Sequence, residues 1–184
     1  MPLRTTGGPW QQHALWEHGS PACVIFGWEQ MPPRPELDIW ALGLCDTTAQ
    51  RSRDPERQVG CVILRPDKTV AATGYNGFPR RVCDDPGLYE DRDAKLHRMI
   101  HAELAAILTA REPLEGYTLY VNRMPCSHCA ACIIQKGISR VVTAPPPEQS
   151  RWLQSWQHAR AMFHEANVLV DYISIHNDNI TNSS

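Results

Sequence analysis

The sequence predicts an α/β fold, a three-layer α/β/α sandwich around a mixed sheet of about five strands. Two short β-type runs joined by Arg65-Pro66-Asp67-Lys68 read as an opening hairpin. Strand and helix patterns then alternate to the end of the chain, as in a sheet with connecting helices packed on it. The first strand is almost wholly apolar, which suits a sheet covered on both faces.

Leu37, Trp40, Ala41, Leu44 and Thr48 fall at helical spacing and predict a first helix ending near Ser52 to Pro55. Val59 to Leu64 and Val70 to Tyr75 are the hairpin strands. Asn76 to Lys95, rich in Gly, Pro, Arg and Asp, reads as a long loop of the kind that is usually functional. A second helix is expected over roughly Lys95 to Arg111, a strand over Tyr117 to Asn122, and a helix over Cys126 to Lys136 stopped by Gly137. Arg140 to Thr143 reads as a strand and Pro145-Pro146-Pro147 as a break. Trp152, Trp156, Ala159 and Phe163 make one face of a last helix before a strand over Val168 to Ile173. Residues 1–35 carry no periodicity and read as an arm, with Trp10, Trp16 and Trp28 expected to dock on the domain or a neighbouring subunit. The domain itself is expected over 36–175, and 176–184 is a polar tail.

Composition narrows the function classes. The chain has 184 residues and a formal charge of −2, which supplies no basic stripe for tracking nucleic acid. No apolar run approaches the ~18 residues of a membrane span, and Met1 to Gln12 lacks the apolar core of a signal peptide, so a cytoplasmic protein is expected. In that compartment the 7 cysteines read as reduced thiols, some of them on metal.

The chemistry concentrates in His101-Ala102-Glu103 and Pro125-Cys126-Ser127-His128-Cys129. Zinc prefers imidazole and thiolate, and a catalytic zinc site keeps three protein ligands with a fourth position open. His101, Cys126 and Cys129 supply that set. Pro125 marks a helix start, where the positive dipole end favours thiolates. Residues two apart on a helix diverge, so Glu103 joins His101 at one ion only if the helix begins at His101; there it can shuttle protons. A structural zinc knuckle or a redox pair is the bland alternative, with Cys132 or His128 as the fourth ligand. Both converge poorly with Cys126 and Cys129, and a pure binding module has no need of Glu103.

His-x-Glu followed by Pro-Cys-x-x-Cys is the signature of the zinc nucleobase deaminases, and from about Leu37 to Ile173 the chain resembles the deoxycytidylate (dCMP) deaminases of the cytidine deaminase superfamily. The resemblance runs through Ser52-Arg53-Asp54-Pro55, Gln58-Val59-Gly60 and Thr73 to Pro79. It continues through His101 to Leu104, Leu119-Tyr120-Val121, Pro125-Cys126 with Cys129-Ala130, and Ile133 to Ile138. It implies a cytidine deaminase-like fold, a Zn2+ cofactor and hydrolysis of dCMP to dUMP and ammonia. The alternative is a 5-substituted or unphosphorylated cytosine compound. It further implies Glu103 as the proton shuttle, Asn76 on the deoxyribose, backbone of the Ala102 region at the exocyclic amine, and a homo-oligomer, commonly a hexamer. An Asn before Gly can equally be a turn residue in left-handed geometry.

For the phosphate, Arg80 and Arg81 are the favoured pair, with Arg123 and Arg151 as further candidates. Cys61 reads as a buried inert thiol, and a second metal site on Cys83 and His97 is disfavoured. Two departures stand out: Ala105 occupies a position where many members carry Asn, which predicts weak activation by dCTP, and the Thr143 to Arg151 segment is unlike the better-known members.

Overall fold

The first helix, α1 (Leu37–Ala49), buries Ala41, Leu42, Cys45 and Ala49, a stripe rotated from the expected one so that Trp40 lies half exposed. Small residues face the sheet because the helix runs very close to it: a Cβ on Gly60 would overlap the backbone of Cys45 and Ala49. This computed structural model describes residues 34–147 and 149–174. The expected arm, its tryptophans and the polar tail lie outside the described residues.

The sheet holds β1 (Gly60–Leu64), β2 (Val70–Tyr75), β3 (Thr118–Val121), β4 (Arg140–Thr143) and β5 (Leu169–Tyr172), in the order β2-β1-β3-β4-β5. β1 runs antiparallel to β2 and β3, whereas β3, β4 and β5 are parallel, so the sheet is mixed as predicted. Strand alternation splits the core in two. Cys61, Ile63, Leu119, Val121 and Val141 face one cluster, and Val62, Leu64, Tyr120 and Val142 face α1. The first cluster is closed by α4 (Ala102–Thr109), α5 (Ser127–Gln135) and α6 (Leu153–Glu165). Helices therefore cover both faces and bury every residue of β1.

Two expectations need correction. The segment after Asn76 is not one loop, because it contains α2 (Gly87–Glu90) and α3 (Arg92–Arg98). The single helix expected over Lys95 to Arg111 is two, α3 and α4, separated by extended chain. The break arises because Ile100 leaves the helix to pair with Gly77, donating at 2.9 Å and accepting at 3.1 Å. Hydrophobic periodicity continues across that gap, but tertiary pairing outbids it.

Candidate active site

Pairing of Ile100 with Gly77 delivers His101 in extended geometry, φ −70° and ψ 155°, as the N-cap of α4. Glu103 then falls in the first turn. The condition set by sequence, that the helix begin at His101, is met. Gly74 lets this turn sit tightly on β2, since a Cβ there would overlap the backbone of Ala102 and Ala106.

Cys126 is the N-cap of α5, also extended, and its Sγ accepts from the Cys129 N–H at 3.5 Å. Its start is anchored to α6: the Ser127 N–H donates to Ser155 Oγ at 2.9 Å, and Trp156 Nε1 donates to the Met124 carbonyl at 3.1 Å. The site is thus the meeting of two helix N-termini, whose positive ends favour thiolate and carboxylate.

His101 Nδ1 stands 3.5 Å from Cys126 Sγ and 3.4 Å from Cys129 Sγ. Two such ligands on a tetrahedral zinc, at about 2.0 Å for nitrogen and 2.3 Å for sulfur, stand about 3.5 Å apart, so the triad fits that ion. All three ligand atoms lie within 4.8 Å of one another, and among the described residues no other such group of His, Cys, Asp and Glu occurs. The thiol of Cys126 is drawn down to about 4, first by a hydrogen bond from Cys129 and also by His101. Cys129 is pushed up, first by its hydrogen bond with Cys126 and then by burial. A zinc ion would take both sulfurs as thiolates and displace any proton they hold. Glu103 is 4% exposed, and burial raises its carboxyl above the usual range, with the nearby His101 opposing.

The remaining expected residues are placed less simply. Ala102 is fully buried as the first residue of α4. Asn76 does not adopt a positive φ, so the left-handed turn reading fails. Its side chain is occupied by its own chain: Oδ1 accepts from the Val59 N–H at 2.8 Å, and Nδ2 donates to the Arg57 carbonyl at 2.8 Å and more distantly to Asp54 at 3.4 Å. Arg80 and Arg81 are exposed, Arg81 at φ 70°, and neither forms a salt bridge among the described residues. Cys83 is exposed and His97 pairs with Asp93, so no second metal group forms there. His128 is exposed and Cys132 lies outside the triad, while Cys61 is fully buried with its thiol pushed well up by desolvation.

Sequence reasoning overlooked two features. Asp54 is buried and accepts from the N–H groups of Glu56 and Arg57 and from Lys95 Nζ at 2.8 Å, locking the 54–59 turn under Asn76. Its only sequence signal was membership of the Ser-Arg-Asp-Pro stretch. Trp152, read only as a helix-face residue, sets its ring edge-on to His101 with centroids 6.4 Å apart. No local pattern signals a contact between residues so far apart in the chain.

A sequence model of the cytidine and deoxycytidylate deaminase zinc-binding region matches residues 35–145. An uncharacterized deaminase from the luxG 3′ region of Aliivibrio fischeri is 40% identical over 126 residues, 67% of this chain and 84% of its own length. The deoxycytidylate deaminase of Mycobacterium phage D29 is 38% identical over 122 residues, 59% of this chain and 94% of its own. The chain spans about half the length of the animal deoxycytidylate deaminases it also matches. A solved dCMP deaminase of cyanophage S-TIM5 superposes with a TM-score of 0.58 over 77% of this chain and 100% of that one, at 20% identity, which shows the shared fold. The matched region carries the whole triad and Glu103 on the two helix starts described above, and the chain belongs to the cytidine and deoxycytidylate deaminase zinc-binding family.

Proposed function

We propose that the chain hydrolyses dCMP to dUMP and ammonia, using zinc held by His101, Cys126 and Cys129. The observation that carries this is the buried Glu103 carboxylate in the first turn of the helix that His101 caps, with His101 itself in a three-ligand triad, in a chain similar to deoxycytidylate deaminases along most of a phage enzyme's length. When bound, zinc supplies the Lewis acidity that lets a water ionise near neutral pH. Glu103 would take a proton from the attacking water and deliver it to ring N3 as the water oxygen bonds to C4. Glu103 would then carry the proton of the new C4 hydroxyl to the exocyclic nitrogen, so that the C4–N bond breaks, the C4 oxygen becomes the carbonyl and ammonia leaves. Buried α4 residues around Glu103 keep bulk water from competing for these protons. In this reading the backbone of Ala102, at the start of α4, meets the exocyclic amine, and Asn76, which also holds the 54–59 turn, meets the deoxyribose. Nucleotide substrate, further copies of the chain and a cytoplasmic location complete the reading. Among the described residues no helix is long and apolar enough to cross a membrane.

Glu103→Gln tests it. The variant is expected to retain stoichiometric zinc by elemental analysis and to lose about 10² to 10⁴ in kcat for dCMP, since the amide cannot accept the proton. Near-normal turnover would remove Glu103 from the shuttle. Ammonia release from deoxycytidine or 5-methyl-dCMP in preference to dCMP would move the substrate to the alternative class.

A further inference from the structure

Four arginines compete for the substrate phosphate, and the structure separates them. Arg80, Arg81 and Arg123 are exposed, and among the described residues none of them is seated on an aromatic ring. Arg151 is different: its guanidinium lies over the Trp152 ring, 5.7 Å from the centroid, and that ring meets His101 edge-on. Resting on the dCMP reading above, we propose that Arg151, seated on Trp152, recognises the 5′-phosphate and that Trp152 is the wall fixing its distance from the reacting base.

Three observations support this. The platform is rigid: the Trp152 N–H donates to Ser150 Oγ at 3.1 Å, and α6, which starts one residue later, is bound to the start of α5 through Ser155 and Trp156. The cation that binds an anion is therefore held by the same helix pair that positions Cys126 and Cys129. Arg151 is exposed and forms no salt bridge among the described residues, so its planar donors are free for a bidentate contact with phosphate. A guanidinium resting on an indole face is oriented by the ring quadrupole, so less side-chain freedom is lost when an anion binds. Finally, the family region ends at residue 145. Arg151 and Trp152 lie beyond it, outside the part of the chain that the family model covers.

The test compares kcat/KM for dCMP and deoxycytidine in zinc-loaded wild type, Arg151→Ala, Arg151→Lys, Trp152→Leu, and the double variant Arg80→Ala with Arg81→Ala. The expected result is a fall of about 10- to 100-fold in the dCMP-to-deoxycytidine ratio for Arg151→Ala, carried by KM for dCMP. Arg151→Lys recovers part of it, and Trp152→Leu lowers the ratio in the same direction. A general structural role would reduce both substrates together, so an unchanged ratio in Arg151→Ala overturns the proposal. A fall seen only in the Arg80 and Arg81 double variant overturns it too, and returns the phosphate to the loop after Asn76. A wild type equally efficient on both substrates overturns this inference and leaves the deaminase reading standing, whereas a wild type inactive on both overturns the two together.

Discussion

Asp54 shows how one buried carboxylate organises the approach to the site. Its side chain is 4% exposed, too little for water to solvate the charge, so its stability comes from the N–H groups of Glu56 and Arg57 and the ammonium of Lys95. The Lys95 side chain is mostly buried and also reaches Glu56 at 3.2 Å. Removing one member of such a pair leaves the other buried and uncompensated, which costs about 3 to 5 kcal/mol. Asp54→Ala is expected to lose stability of that order in urea titration, and Lys95→Met to lose less because its partner keeps two backbone donors. A loss under 1 kcal/mol for Asp54→Ala would show that the turn holds itself without the carboxylate. Asn76 belongs to the same network, its amide holding the backbone at residues 57 and 59.

At the scale of elements, α1 is tied to the far edge of the sheet by charge as well as by packing. Arg140 of β4 grips Asp38 with two nitrogens, at 3.0 Å and 2.7 Å, and reaches Asp171 of β5 at 2.7 Å, while the Tyr120 hydroxyl donates to Asp38 at 2.8 Å. The hydrogen bond from Arg140 holds the Asp38 carboxyl below its usual value, against the opposing effect of burial. A carboxyl depressed in the folded state adds stability that is fully present above its unfolded pKa of ~3.9 and is lost as pH falls through the folded value. Wild type is therefore expected to lose stability below about pH 4 more steeply than Asp38→Asn, read from urea midpoints between pH 6 and pH 2.5. Parallel acid limbs would assign the acid sensitivity to other carboxylates.

For the whole molecule, the sheet ends in two open edges, β2 and β5, and apolar side chains of Leu96, Leu108 and Leu169 stand exposed in the described domain. Edge strands left unpaired among the described residues, with apolar side chains exposed, suit contact with further copies of the chain. Light scattering behind size exclusion is expected to give a mass that is a multiple of 20.8 kDa; a monomer at micromolar concentration would reject a homo-oligomer. Ala105 bears on regulation at the same scale. It lies on α4, beside the Gly74 contact, and offers no side-chain hydrogen bond to an effector. Initial rates against dCMP are thus expected to change less than twofold with dCTP and magnesium, because an effector shifts an equilibrium only by its differential contacts. A sigmoidal curve made hyperbolic by dCTP would contradict this.

The sequence by itself determined the layers and the chemistry. Period-two and period-3.6 patterns are local, so the strands, α1, α5 and α6 were legible within a residue or a few, and the spacing of His101, Cys126 and Cys129 names a zinc-ligand set, with Glu103 beside it as the expected proton carrier, without any coordinates. Tertiary structure alone decided the break between α3 and α4, since the apolar pattern runs on through Met99 and Ile100 and only the Gly77 pairing interrupts it. It decided which face of α1 is buried, because the close approach at Gly60 admits Ala41 and Cys45 but not Trp40. It likewise decided that Asn76 serves the backbone, that Asp54 meets Lys95, and that Trp152 stands against His101. Each is a contact between segments far apart in the chain, where periodicity and propensity carry no information and the outcome depends on which polar groups must find partners once the core has closed.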